Sequence, residues 1–352
     1  MNKAYINGIG CISPQHTAED NWFFDRIVAP EADFLSAIEP SYKEYISPNL
    51  LRRMGRAIKM GVASANMALK EAELTAVDAI ATGTGLGCFE DSERFLMAML
   101  NNEEQFLTPT SFIQSTHNTV GSQIALILKC HDYNFTYVHR GFSFESALMD
   151  AMMWFSEGKE TILIGGIEEH TPCYVELNRN AGKLKAPDAT PLWKQHTTGY
   201  QMGEGGAFFA VSQHQTAHSK SVIEGVNTLY KPETSGDIMK KMHAFLERHG
   251  LSIQDIDLVL MGFSGNSLHD MKFQEILPDL CETNQVGHYK HLCGEYHTAS
   301  AFATYVASRI IEKQEIPDVI KINHKERSPV KHVLIVNQYL DINYSFILVG
   351  QC

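Results

Sequence analysis

The stretch TYVHRGFSFESALMDAMMWFSEGKETILIGGIEE, residues 136–169, decides the reading of this chain. Residues 135–138 predict a strand, a tight bend follows, and the next helix carries Ala147, Leu148, Ala151 and Met152 on one face. An apolar strand at 161–164 then runs into Gly165-Gly166. The same alternation continues downstream, with strands predicted at 221–226, 257–261, 332–336 and 344–349 and helices at 237–249 and 299–313. Strands near the end of each half are continuously apolar, as expected where helices cover both faces of a sheet. The polar run SQHQTAHSK, residues 212–220, is the natural junction between two halves. Periodicity alone supports an α/β chain.

At 352 residues the chain can bury a large core, either as two ordinary domains or as one duplicated unit. A net charge of −12 argues against a nucleic-acid surface. No apolar run is long enough to span a bilayer, and the first residues lack the pattern of a secretory signal, so a cytoplasmic protein with no membrane partner is expected. Seven scattered cysteines, an odd number without a paired framework, are read as reduced thiols.

Segments 5–14 (YINGIGCISP), 46–74, 79–87 (AIATGTGLG), 108–122 (TPTSFIQSTHNTVGS), 136–169 and 199–211 (GYQMGEGGAFFAV), in that order, resemble the β-ketoacyl synthases. The resemblance includes the chain-length-factor subunits of bacterial type II polyketide and aryl-polyene synthases. It implies a thiolase-like duplicated α/β fold, two mixed sheets in a five-layer α/β/α/β/α arrangement, with halves at 1–212 and 221–352. Active members carry a cysteine at the strand-to-helix bend, where the helix N-terminus lowers its pKa. Here that position falls at Gly141, give or take one residue, and Arg140, Gly141 and Phe142 offer no thiol.

The family's two catalytic histidines are also missing. Ser264 stands in the place of the first, in GFSGN at 262–266, and Glu295 in the place of the second, after a retained Lys290 in KHLCG at 290–294. The glycine-rich turn that gates the acyl pocket is replaced by YLDIN at 339–343, whose residues resist the backbone angles glycine allows. Condensation needs a thiolate to hold the acyl chain and donors to stabilise an enolate. A carboxylate at Glu295 would repel that enolate. The resemblance therefore implies a non-catalytic subunit, a chain length factor, pairing with an active ketosynthase and meeting acyl carrier protein through the complex. Phe112, Ile113 and Gln114 match the interface segment that reaches the partner's acyl tunnel, with plain core packing as the competing reading. No catalytic residue, cofactor or metal is expected. Two alternatives stay open: an acyltransferase or thioester hydrolase using Ser143 or His139, and a stand-alone acyl-binding homodimer.

Weaker signals have blander readings. GTGLG at 83–87 lacks the third glycine of a dinucleotide turn and reads as structural. His288, His291, Cys293 and His297 do not follow a common zinc spacing. Glu168-Glu169-His170-Thr171 reads as structure after the Gly165-Gly166 strand. Arg52, Arg53, Arg56 and Lys59 form a local basic run, read first as a solvated helix face.

Overall fold

A computed structural model describes residues 2–19, 22–187, 190–325 and 327–352. The first half supplies strands β1 (Ala4–Ile12), β2 (Phe34–Leu35), β3 (Ala79–Gly83), β4 (Tyr133–Tyr137), β5 (Thr161–Glu168), β6 (Met202–Gly203) and β7 (Gly205–Ser212). The second half supplies β8 (Ser221–Tyr230), β9 (Leu258–Met261), β10 (Gln285–His288), β11 (His332–Tyr339) and β12 (Asn343–Gly350). Between them lie α1 (Pro48–Leu51), α2 (Arg56–Glu71), α3 (Phe89–Asn101), α4 (Pro109–Gln114), α5 (Thr119–Leu128), α6 (Ser143–Trp154) and α7 (Pro172–Asn180). After β8 come α8 (Ser235–Glu247), α9 (Ser267–Thr283), α10 (Lys290–Cys293) and α11 (Ala299–Lys313).

From the centre outwards the strands of the first half run β1-β7-β5-β3-β4, and those of the second β8-β12-β11-β9-β10. The pairing senses repeat as well. The inner pairs are antiparallel and the outer two pairs parallel in both halves. The expected two sheets are hydrogen-bonded to each other along a short seam, where Ala4, Tyr5 and Ile6 pair antiparallel with Ile223, Val222 and Ser221. The result is a single ten-stranded mixed ladder.

Helices α6 and α11 occupy the layer between the two half-sheets, α11 touching β1, β5 and β7 as well as β8, β11 and β12. A helix in that layer must be apolar or self-satisfied on every side. Accordingly α11 carries Ala299, Ala301, Phe302, Ala303, Val306 and Ala307, all buried. Two of its buried hydroxyls find partners: Thr304 donates to the Ser300 carbonyl at 2.9 Å, and Ser308 meets Ser221 at 2.8 Å. On the outer face of the first half α2 lies against β1 and β7, and on the outer face of the second α8 lies against β8 and β12.

The α2 contact is unusually close because β1 offers glycines there. A Cβ on Gly10 would sit 1.9 Å from the Ser64 carbonyl oxygen, and one on Gly8 would sit 2.1 Å from that of Ala68. Both obstacles are helix backbone, which cannot rotate aside. Gly10→Ala should therefore push α2 away from the sheet and destabilise the fold by about 1–3 kcal/mol or more. Urea unfolding of the variant beside the parent, with a lowered midpoint expected, checks this.

Candidate functional site

The C-terminal ends of β3, β5 and β11 and the loop before α11 converge on the bend at 140–142. Arg140 takes the left-handed conformation there, with φ of 51°, and its side chain is exposed. Gly141 packs beneath Tyr339, and a Cβ at this position would lie 2.5 Å from that of Tyr339. Ser143 is fully buried and spends its hydroxyl on the bend itself, donating to the Arg140 carbonyl at 2.7 Å and accepting from the His139 amide at 2.9 Å. No base reaches it. His139 lies at the surface, its Nδ1 3.2 Å from Ser146.

Ser264 is buried and bonded at 3.0 Å to Asp270, which also accepts from the backbone amides of Ser264 and Gly265 and from Gln338. Burial pushes the Asp270 carboxyl up to about 6. Lys290 and Glu295, both buried, face each other with the ammonium 2.9 Å from each carboxylate oxygen, and Lys290 also donates to the Gln338 carbonyl. Burial drives the Glu295 carboxyl up to about 7 against the pull of Lys290. The pair uses up both groups, leaving no donor aimed into open space.

The 339–343 turn is a tight hairpin in which Leu340 and Asp341 both adopt left-handed angles, φ of 54° and 57°. The expectation that these residues would resist such angles fails because the turn is held from outside. Lys272 grips the Asp341 carboxylate at 2.8 Å, and the Tyr344 hydroxyl donates to it.

Sequence reasoning missed one chain of groups. Glu168, fully buried, accepts from the Thr84 hydroxyl at 2.6 Å and from the amides of Gly85 and Leu86, and His297 Nδ1 stands 2.8 Å away. Burial opposes its ionisation, but the nearby His297 and these donors outweigh that and hold its pKa below the usual carboxylate value. With Glu168 ionised, His297 carries its proton on Nδ1, and Nε2 accepts from the Tyr339 hydroxyl at 3.0 Å. The signal was present as a glutamate directly after the Gly165-Gly166-Ile167 run and a histidine two residues past Glu295. The same contacts dispose of a nucleotide reading of the 83–87 turn, since a protein carboxylate already takes its amides.

No protein-family model and no curated protein matches this sequence. Solved structures do. The ishigamide ketosynthase/chain length factor superposes with a TM-score of 0.81 at 19% identity, covering 100% of this chain and 99% of that one. A β-ketoacyl synthase from Burkholderia phymatum gives 0.81 at 17% identity, with 100% of both chains covered. A type II polyketide synthase acyl-carrier protein in complex with its ketosynthase, bound to the hexaketide, gives 0.77 at 15% identity over 100% of both. The chain has the thiolase-like ketosynthase fold.

On that ketosynthase scaffold the remaining sequence candidates separate. Phe112 and Ile113 are 57% and 65% exposed, so plain core packing is excluded for the single chain; Phe112 leans on Phe95. Gln114 is tied to the Arg53 carbonyl. The basic run is smaller than its sequence suggests, because Arg56 is committed to Glu204 and Glu39 while only Arg52 and Arg53 are exposed. His288 and His291 face each other with centroids 3.9 Å apart, whereas His297 belongs to Glu168. Glu169 accepts the amides of Ala57 at the start of α2 and Glu90 at the start of α3, and Thr171 caps α7.

The Lys290–Glu295 pair predicts a double-mutant outcome. Lys290→Met alone should cost about 3–5 kcal/mol by stranding a buried carboxylate, and Lys290→Met with Glu295→Leu should recover most of it. Chemical denaturation of the three variants measures the coupling.

Proposed function

We propose that this chain is a non-catalytic ketosynthase-like subunit, a chain length factor, that pairs with a complete ketosynthase in type II polyketide, aryl-polyene or fatty-acid-like biosynthesis. The observation that carries the pairing is the uncovered edge of the sheet. Among the described residues strand β4 pairs only with β3, and around it Tyr133, Phe135, Val138, Leu126 and Met153 are 38%, 49%, 50%, 67% and 52% exposed. An open strand edge flanked by apolar side chains is a site for adding another chain's strand. A ketosynthase/chain length factor and a complex of an acyl-carrier protein with its ketosynthase are among the structural matches, which supports a partnered subunit.

The non-catalytic half of the reading rests on the positions Gly141, Ser264 and Glu295. Gly141 has no space for a thiol-bearing side chain, Ser264 is bound to Asp270, and Glu295 is bound to the retained Lys290. The alternative of a serine acyltransferase is weakened by the buried, fully bonded Ser143. Acyl carrier protein would reach this subunit through the complex, because Arg52 and Arg53 alone make a small basic patch on an acidic chain. The same reading takes residues 1–212 and 221–352 as related halves, supported by their matching strand orders.

Co-expression with a ketosynthase that has its Cys-His-His set should give a stable heterodimer, and intact-mass analysis after incubation with acyl-carrier thioester should place the acyl group on the partner alone. Light scattering that shows a stable homodimer indifferent to ketosynthases would favour the acyl-binding reading, and stoichiometric acylation of this chain would favour the acyltransferase.

Phe112, Ile113 and Gln114 are the residues assigned to the partner's acyl tunnel in this reading. Since Phe112 is exposed in the single chain, Phe112→Ala should leave its stability within about 0.5 kcal/mol. In the intact heterodimer the same change should lengthen the product. Unchanged product length from an assembled complex would show that Phe112 does not limit the tunnel.

A further inference from the structure

Helix α3 breaks the usual relation between apolar sequence and burial. Its second half reads Phe95-Leu96-Met97-Ala98-Met99-Leu100, an unbroken apolar run, yet of its 13 residues only Asp91 is buried. A helix stretch that is apolar on every side belongs in a core or an interface. Here its main contacts are with α4 and, more lightly, with α2. Phe95 leans on Phe112, while Leu96, Met97 and Leu100 are 58%, 49% and 75% exposed.

The loop that follows repeats the anomaly. Glu103 and Glu104 take left-handed angles to close the helix, with the Glu104 amide donating to the Met99 carbonyl at 2.9 Å. Phe106 is left-handed too, with φ of 53°, and its ring is 92% exposed. A bulky residue in that region is strained, and such strain persists where the surroundings offset it. This chain's own packing offers Phe106 almost no contact. Together with Phe112 and Ile113, the exposed large apolar side chains cluster between positions 96 and 113. Single exposed apolar residues are ordinary, whereas a cluster marks a contact surface.

That surface is continuous with the open edge of the sheet. The Thr119 hydroxyl at the start of α5 donates to the Ile113 carbonyl at 3.4 Å, and α5, which carries exposed Leu126, packs on β4. The strand edge by itself is too small to hold a partner. Strand β4 has 5 residues, whereas a stable interface takes about 800 Å² and roughly 20–30 residues from each side. Charge narrows the kind of partner. Residues 89–114 carry Glu90, Asp91, Glu93, Glu103 and Glu104, which outnumber Arg94 and the two arginines bordering α4, Arg52 and Arg53. Arg94 is itself engaged by Glu90 and Asp91. An acidic partner or an anionic lipid surface is therefore disfavoured.

We propose that α3 and the loop after it form an arm that closes over the partner ketosynthase beside β4, seating Leu96, Leu100 and Phe106 on an apolar, non-acidic patch of that subunit. The inference rests on the pairing proposed above and adds a second contact to it. Docking supplies the cover that α3 lacks within this chain and offsets the strain at Phe106.

The test is hydroxyl-radical footprinting of the free chain and of its co-expressed heterodimer with a ketosynthase that has its Cys-His-His set, read residue by residue by mass spectrometry. Phe135 and Met153 report the strand edge, Leu100 and Phe106 report the arm, and Leu268 and Met271 on α9, 62% and 52% exposed, are the uncovered controls. Modification of Leu100 and Phe106 should fall at least about fivefold on pairing, as solvent leaves an interface core, together with Phe135 and Met153 and with no change at the α9 controls. Protection of Phe135 and Met153 without Leu100 and Phe106 would overturn the arm and leave the pairing standing. Protection of neither pair would overturn both. A free chain that light scattering shows as a dimer, with Leu100 and Phe106 already protected by the second copy, would also overturn the arm. Leu100→Gln combined with Phe106→Ser should leave the urea midpoint of the free chain unchanged, since both side chains are exposed, and weaken the heterodimer about tenfold or more. An unchanged dissociation constant for that double variant would sink the proposal.

Discussion

The carboxylate of Glu168 holds the centre of this molecule together. Fully buried at the end of β5, it accepts from Thr84, Gly85 and Leu86 after β3 and pairs with His297 from the second half. An unpaired charge there would cost several kcal/mol. The neighbouring acids follow the same logic. Glu169 caps α2 and α3, and Glu204 holds Arg56 together with the amides of Ala37 and His170. Three acids near one end of the sheet thereby fix where α2, α3 and the loop before α11 begin.

The constellation at the bend has the energetics of a core. Gly141 is roofed by Tyr339, Ser143 is absorbed into the backbone of the bend, and Lys290 is matched by Glu295. Each of these contacts satisfies a group that catalysis would leave free. Reactive side chains store unfavourable interactions until a substrate relieves them. Here the relief is built in.

Much of this was legible in the sequence, and for identifiable reasons. The helix Ala299–Lys313 coincides with its expected span because alanines and large apolar residues cover all of its faces, and β5 and β12 announce themselves as unbroken apolar runs. Helix α9 did not, since it contains Pro278 and opens on the polar run Ser267-Leu268-His269-Asp270. The long helical region at 46–74 divides at Met54-Gly55 into α1 and α2 because Glu169, distant in sequence, caps Ala57. The Glu168–His297–Tyr339 chain was hidden for the same reason. Its members are 129 and 42 residues apart, and no local pattern marks a contact made by tertiary packing.

The position of β1 at the middle of the ladder also has a consequence for how the chain is made. Its neighbours are β7 and β8, the first of which ends at Ser212. A ribosome adding about 5–20 residues per second reaches β7 roughly 10–40 s after β1, and through that interval both edges of β1 lack their mates. The glycines that let α2 lie flat on β1 give the nascent strand an early cover on one face. That local docking shields the chain's innermost strand until translation delivers the rest of the sheet.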